Sequence, residues 1–597
     1  MMTQGDKREY ILLIVLLVFL GIVLVATTIR GPFTIDEINY MVTAIGLREG
    51  KLTVPGTEGL GPSKELFSFD PESYGRVAAR TPVASLAPPL YAPFALPFLV
   101  LGWHGLVLLN TLSYLLTGLI VFVLSKHYAV DRQTPWLAAA LVLIGGYGIE
   151  YAQGVWPHMF SVFLVTCALY VASKIWQGGK PTVAVLCGLL MGIAIGVREQ
   201  NIVLTGCLGL TVLLFARRRI LATAWYGIGT LLPLVVIATM NLSRDHLWHP
   251  FPKFVAYSNQ LKQHVGAGSI LEPLRVFWAR FIDFSMHPEI TYLVQADMYK
   301  QNPASGAYLV YGTVKKAFLQ SCPWIGLAFV VLVLAWFWKD SRKEDVRRSL
   351  RGLSLLIFPL VVLFSMAGAS RVDGLAYNQR YFLEMIPLAA LAVALALDGL
   401  SLSVVHMVIG FLAGGIAFAA ALMLPSHTLY EIALMRVPLL VAVLLLLSWI
   451  FRWHSSARLL LPMTLGLCLG WSLFVHTLDD LPASRNRRMR TATELKMLEE
   501  VIPAHSAVFA YWGSKDAAGP LLLTRDVVIL DAGADEGADA VRLTKELQRQ
   551  HRRIFILWYS VPAPYTRGIV GADSLALARG GPFPIYEVLQ KNPAGAQ

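Results

Sequence analysis

The sequence predicts an all-α polytopic membrane bundle of about 11–13 transmembrane helices, followed by a small C-terminal extracytoplasmic α/β domain. Three observations predict it. Of 597 residues, 56% are hydrophobic and only 15% are charged, whereas soluble globular chains carry roughly 25% charged residues. The apolar residues gather in runs of about 17–24, the length needed to cross roughly 30 Å of hydrocarbon. After about residue 477 those runs stop, and polar stretches with helix-like and strand-like patterns alternate. The chain therefore divides into a membrane module over 1–477 and a soluble domain over 478–597.

Thirteen apolar runs can be placed. The first, 10–29, is too long for the apolar core of a signal peptide and reads as a retained helix. The others lie near 103–124, 136–151, 157–175, 181–197, 202–215, 221–241, 323–338, 352–367, 381–397, 401–424, 437–451 and 459–476. Positively charged loops resist translocation. With the N-terminus cytoplasmic, Lys7 and Arg8, Lys126 and Arg132, Lys174 and Lys180, Arg217, Arg218 and Arg219, the basic stretch 339–351, and Arg452 with Arg458 all fall on one side. The other side receives the first outward loop 30–102, the large outward loop 241–322, a short loop near 370–380 and everything after about 476. This is the pattern of a multi-pass membrane protein whose working surface faces outward.

The net charge of +12 is then mostly a topology signal. No basic run interleaved with aromatics supports a nucleic-acid partner. The five cysteines stand singly without CxxC spacing and read as small core residues.

In the C-terminal part, 493–501 reads as a helix, 507–511 and 527–530 as strands, 538–550 as a helix and 554–558 as a strand. That is a βαβ-like order. It holds no GxGxxG or Walker loop.

The first outward loop opens with Phe33-Thr34-Ile35-Asp36-Glu37-Ile38-Asn39-Tyr40, two adjacent carboxylates just beyond the first span. One carboxylate can act as general base on an alcohol while its neighbour tunes it or orients the acceptor. The same letters also suit a helix start, with Thr34 as N-cap and two first-turn acids. Both readings hold at this stage.

An acidic pair at that place, in a multi-helix chain with a long first outward loop, resembles the GT-C superfamily of integral-membrane glycosyltransferases, which includes protein O-mannosyltransferases and lipid A aminoarabinose transferases. Further stretches are similar in the same order: Arg80-Thr81-Pro82 with Ala87-Pro88-Pro89-Leu90, then Tyr151 to His158, the Gly-rich 192–198 ending in Arg198, Met240-Asn241 with Trp248-His249-Pro250, and Gln379-Arg380-Tyr381-Phe382. The likeness covers roughly 10–400. In the second outward turn, where the family commonly has Asp, the nearest acid is Glu150, and His249 stands where a small residue is usual.

The resemblance implies an inverting transfer of a sugar from a polyprenyl-phosphate donor to a lipid, glycan or protein hydroxyl. Asp36 is the expected base and Glu37 its support. The leaving group is a lipid phosphate, so its site needs cations that stay protonated and donate two hydrogen bonds. Arginine does both. Arg80, Arg198 and Arg380 are the candidates, each expected at an outward helix end, where an Arg can also serve as a headgroup anchor. Glu150, His158, Asn241, Pro250, Tyr257 and Tyr381 are candidate substrate contacts. His246, His249 and His264 lack the i, i+4 spacing of a helical metal site, so no metal ligands are assigned; the acidic pair alone could recruit a divalent cation. A secondary transporter, or an O-antigen polymerase or ligase, is the alternative. Against a transporter, the ionisable residues cluster at span ends and no repeated halves are seen. The C-terminal domain is expected to recruit an acceptor or to pack over the large outward loop.

Overall fold

The computed structural model describes residues 4–52, 54, 56–57, 59–60, 88–245, 248–251, 272–286, 289–290, 314–337, 344–366, 378–511, 513–532, 540–560 and 574–589. Arg80 and Tyr257 lie outside the described residues. The helices run in the order α1 (Gln4–Ala26), α2 (Ile35–Arg48), α3 (Gly102–Tyr128), α4 (Gln133–Leu143), α5 (Gly148–Ala152), α6 (His158–Trp176), α7 (Ala184–Val197), α8 (Asn201–Phe215) and α9 (Arg219–Asp245). They continue with α10 (Glu272–Met286), α11 (Ile325–Leu334), α12 (Glu344–Met366), α13 (Met385–Ala396), α14 (Val404–Leu422), α15 (His427–Ile450) and α16 (Ser455–Phe474). Among the described residues, eight helical stretches are long and apolar enough to cross a membrane, and five shorter apolar helices have 10–17 residues. Together they take up each of the thirteen runs read from the sequence.

Outward-facing Ile11, Val15, Phe19 and Ile22 on α1, and Val405, Leu412 and Ile416 on α14, are exposed. Such faces are stable only in hydrocarbon, and the chain is a multi-pass membrane protein. Helices in lipid gain little from hydrophobic contact and associate through close packing at small residues. In α14 and α16 two such pairs meet: a Cβ on Gly410 would lie 1.8 Å from the Met463 carbonyl, and one on Gly466 would lie 2.0 Å from that of Met407.

One expected span is broken. The run 136–151 divides into α4 and α5 at Gly145 and Gly146, where a Cβ would press on Trp324 and Ile386. The carbonyls freed by the break are taken up, that of Leu143 by the Tyr114 hydroxyl and that of Gly145 by Trp324 Nε1 at 2.8 Å. Irregular backbone at this depth persists because protein groups satisfy it. At the other extreme, α16 does not stop where the sequence suggested. It passes through a π-helical turn (Val475–Asp480) into α17 (Leu481–Val501), one helical stretch from 455 to 501 across the boundary expected at 477–478.

The C-terminal part forms a five-stranded sheet of β1 (Ser506–Ala510), β2 (Val527–Asp531), β3 (Arg553–Leu557), β4 (Ser574–Arg579) and β5 (Ile585–Leu589), in the order β2-β1-β3-β5-β4. β1 is parallel to β2 and β3, and β5 is antiparallel to β3 and β4. The three parallel strands coincide with those read from the sequence. The β4–β5 hairpin was not read, because 574–589 alternates weakly and contains Gly580 and Gly581 between its strands.

The helix ends sort into two groups. At one end Lys126 pairs with Glu9 at 2.5 Å, and the Asp398 carboxylate accepts from the amides of Val130 and Asp131. At the other, the segments 31–37, 150–158, 316–321, 378–384 and 476–491 touch one another. The second end is where the expected chemistry gathers.

Candidate active site

The segment Gly31–Thr34 enters α2 without regular structure, yet three successive carbonyls are held. Arg488 Nη1 donates to Gly31 O at 2.9 Å, the Thr491 hydroxyl to Pro32 O at 2.8 Å and Arg487 Nε to Phe33 O at 2.6 Å. Thr34 stands at the N-cap position, but its hydroxyl makes no capping bond. Glu37 caps instead, accepting the Phe33 amide at 2.5 Å.

Asp36 and Glu37 are adjacent on a helix, so their side chains diverge by about 100°. Glu37 turns inward and is fully buried. Its two oxygens accept from the amides of Phe33 and Val155 and from both Nη atoms of Arg488, at 2.5 to 3.0 Å. A carboxylate so completely bonded is a structural tie between α2, the 154–156 turn and α17, not the acceptor-holding partner expected from the sequence. Asp36 turns the other way, keeps 33% of its side chain exposed, and accepts from Arg380 Nη1 at 2.9 Å.

Arg380 opens a single 3-10 turn, Arg380–Phe382, ahead of α13. Its guanidinium lies over the Tyr381 ring, 5.2 Å from the centroid, and Nη2 donates to the Tyr381 hydroxyl at 3.3 Å. Its Nε is buried and has no partner among the described residues. The backbone before it is strapped as the Asp36 segment is. Tyr151 donates to Asn378 O at 3.2 Å, Tyr147 to Gln379 O at 2.9 Å and Arg198 Nη2 to Arg380 O at 3.2 Å.

Arg198, expected to bind phosphate, is buried and paired to Glu384 Oε1 at 2.5 Å. Ser161 donates to the same oxygen at 2.8 Å, and Asn201 to Ser161 at 2.7 Å. Its reach to the site is through the Arg380 carbonyl. Glu150 is also buried and accepts from Asn378 Nδ2 at 2.8 Å, while the other carboxylate on that nitrogen, Asp480 Oδ2, lies at 2.8 Å. Asp479 and Asp480 both pair with the fully buried Lys316 at 2.6 Å. His158 opens α6 between the rings of Tyr151 and Trp156, at 5.0 and 5.3 Å, with Nδ1 unpartnered among the described residues. Asn241 donates to His249 O at 2.8 Å and secures the turn at Pro250 after α9.

Tyr40 lies one turn beyond Asp36 on the same face, its ring 5.3 Å from that of Tyr91. Burial, aided by the Asp36 charge, pushes its phenol well above the usual range, so it remains a neutral donor. The soluble part reaches the same helix: a Cβ on Gly519 would press on Ile38 at 2.6 Å. Arg542 also donates to Leu60 O of the first outward segment at 2.8 Å, and Asp479 and Asp480, at the head of the C-terminal part, pair with Lys316 of the large outward loop. Just before Gly519, Asp516 on α18 (Gly513–Ala518) has its carboxyl pushed up to about 7. Burial is the main cause, opposed by Arg487 and Lys515 and reinforced by Asp36 and Glu37.

The sequence pointed to Asp36 and Arg380, and the fold brings them together. Glu37, Arg488, Glu384, Asn378, Asp480 and Lys316 were read otherwise or missed. Their available signal was a charge or amide at the edge of an apolar run, where an ionisable group is costly and seldom incidental. Among the described residues no three His, Cys, Asp or Glu side chains come together as a divalent cation would need. Asp36 faces a guanidinium and Glu37 is fully bonded, so the pair does not fit the cation considered above.

No protein-family model matches the chain, and no curated protein sequence matches it. Solved structures do. The crystal structure of ArnT from Cupriavidus metallidurans bound to undecaprenyl phosphate is similar over 96% of this chain and 97% of that one, at a TM-score of 0.53 and 14% identity. A crystal structure of the Archaeoglobus fulgidus oligosaccharyltransferase tethered to an acceptor peptide is similar over 91% and 68%, at a TM-score of 0.43 and 11% identity. The first of these likenesses extends over nearly the whole of both chains, and the fold is GT-C-like.

Proposed function

We propose that the chain is an inverting glycosyltransferase of the outer face of a bacterial cytoplasmic membrane, moving a sugar from a polyprenyl-phosphate donor to a hydroxyl on a lipid, glycan or protein acceptor. The observation that carries the reading is the Asp36–Arg380 pair, a partly open carboxylate and a phosphate-competent guanidinium 2.9 Å apart where outward helix ends meet. The ArnT neighbour holds undecaprenyl phosphate, and a fold matched end to end makes a lipid carrier of that kind the natural donor here. The Lys and Arg bias of the opposite loops favours an outward-facing site, an N-terminus in the cytoplasm and a C-terminal sheet outside.

Asp36 accepts the acceptor hydroxyl proton as the oxygen attacks the anomeric carbon. The bond from that carbon to the phosphate oxygen breaks, and its electron pair leaves with the lipid phosphate. Arg380 faces this developing charge. Nη1 donates to Asp36 and Nη2 to Tyr381, and each keeps a second N–H for an incoming phosphate oxygen. A donor that arrives from the opposite face to the base inverts the anomeric centre. Tyr40 and Tyr381 offer phenols beside the pair, and His158 offers a ring nitrogen. Arg80 and Tyr257 belong to the proposal as further phosphate and sugar contacts.

The test supplies a labelled polyprenyl-phosphate sugar to purified protein and to Asp36→Asn. The wild type consumes the donor, and the variant binds it with turnover reduced by about 100-fold or more. A wild type that neither binds nor consumes the donor removes the transferase reading, and an Asp36→Asn protein with full turnover removes the base.

A further inference from the structure

Two irregular segments must be held in register for Asp36 and Arg380 to meet, and one continuous helical stretch touches both. On the Asp36 side, Arg487, Arg488 and Thr491 bond the carbonyls of 31–33, and Arg488 forks onto Glu37. On the Arg380 side, Asp480 Oδ2 accepts from Asn378 Nδ2, two residues ahead of the arginine. The Asn378 amide is saturated: Glu150 shares the nitrogen, and the Ser321 hydroxyl donates to Oδ1 at 2.5 Å. From Asp480 to Arg488 is two helical turns, roughly 12 Å at 1.5 Å per residue. The carboxylate grip sits in the π-helical turn Val475–Asp480, a rare geometry that here places both Asp479 and Asp480 on Lys316.

We infer that the helical stretch from Ser455 to Val501 is the spacer that sets the separation of Asp36 and Arg380, with Arg488 and Asp480 as positioning residues acting through Glu37 and Asn378. The inference rests on the reading of the site as a lipid-phosphosugar transferase. It gives the segment entering the C-terminal sheet a part in placing the base against the phosphate cation. It also gives a role to two adjacent acids and a lysine that are fully buried.

Asp480→Asn preserves the side-chain shape and removes the charge that orders Asn378. Binding of a polyprenyl monophosphate in detergent is measured for this variant with Arg380 present and in the Arg380→Gln background. The spacer predicts a loss on the order of tenfold with Arg380 and of less than about twofold without it, because residues acting through one another are non-additive. Equal losses in both backgrounds, or none in either, overturn it. A second measurement needs no lipid. Cysteines at 36 and 380, in a chain with the five native cysteines replaced, are joined by a short bifunctional thiol reagent. Asp480→Asn lowers the cross-linking yield if the helix holds the two stations together, and an unchanged yield overturns the spacer. A wild type that binds no polyprenyl phosphate but shows the drop in yield keeps the spacer and removes the transferase reading. If Asp480→Asn is not recovered from membranes, Ser321→Ala, which removes only the hydroxyl on Asn378, lowers the same yield in smaller measure.

Discussion

Asp36 Oδ2 and Arg380 Nη1 lie 2.9 Å apart, although 344 residues separate them in the chain. Each belongs to a short irregular segment whose carbonyls are taken up by side chains from other elements. The ion pair is therefore imposed by the scaffold and does not itself create the scaffold. A partly exposed pair contributes little to stability, typically under about 1 kcal/mol. Its value lies in placing a base and a phosphate donor side by side.

Arg380 and Arg198 respond differently to Lys. At Arg380, Lys keeps the charge but loses the planar fork, so the donor KM rises on the order of tenfold, about 1.4 kcal/mol, with the protein folded as before. Arg198→Lys keeps the charge beside the buried Glu384 but loses the forked reach to both Glu384 and the Arg380 carbonyl, and shows mainly as a lower melting temperature. Steady-state kinetics beside thermal unfolding of both variants separates the roles. An Arg198→Lys protein with normal stability and a raised donor KM would make Arg198 the phosphate ligand instead.

Glu37 and Arg488 are both buried, so removing one partner strands the other. Arg488→Ala should destabilise the protein by about 3–5 kcal/mol, and combining it with Glu37→Gln, which discharges the stranded carboxylate and keeps an acceptor for the neighbouring amides, recovers part of that loss. Melting curves of the single and double variants check this. A single variant that melts like the wild type would show that the pair ties nothing together.

The α14–α16 contact tests the close-packing argument. Gly466→Leu forces a side chain against the Met407 carbonyl, 2.0 Å from where its Cβ must stand, and the two helices have to separate. Little folded protein should be recovered. Gly206 in α8 has open space around its missing Cβ, so Gly206→Ala stabilises the helix by about 1 kcal/mol. Thermal shift on both reads the contrast. Equal tolerance at the two positions would remove the packing argument.

Much of this architecture was legible because lipid imposes a coarse rule, and twelve of the thirteen runs centre on one helix each, while 136–151 divides into two. The break at Gly145 and Gly146 was not legible, because what permits it is a distant Trp324 and Tyr114. Asp36 and Arg380 were readable as charges at span ends. The division of labour between Asp36 and Glu37 was not. Two adjacent acids look alike in sequence, and only the position of Arg488, 451 residues on, makes one structural and leaves the other open. Arg198 misled for the same reason, since its partner Glu384 lies in a different run. Sequence patterns report burial and sidedness well, and report the partner of a buried charge hardly at all.

Asp516 gives the protein a pH-dependent stability of definite sign. Its carboxyl is pushed up to about 7 in the folded protein, chiefly by burial, against an ordinary value of 3.8. The folded state therefore holds a proton that the unfolded state releases between about pH 4 and 7. Stability from this group is fully present below pH 4 and is lost as pH rises through 7, by at most about 4 kcal/mol at about 1.4 kcal/mol per unit. Asp516→Asn keeps a neutral side chain at every pH. Its melting temperature should exceed that of the wild type at pH 8 and converge with it near pH 4. The Asp36 and Glu37 charges contribute to the shift, so Asp36→Asn should also lower the pH at which the wild-type loss occurs. Parallel melting curves for Asp516→Asn and wild type from pH 4 to 8 would show that Asp516 ionises at its ordinary pH, and that α18 does not bury it beside the helix bearing Asp36.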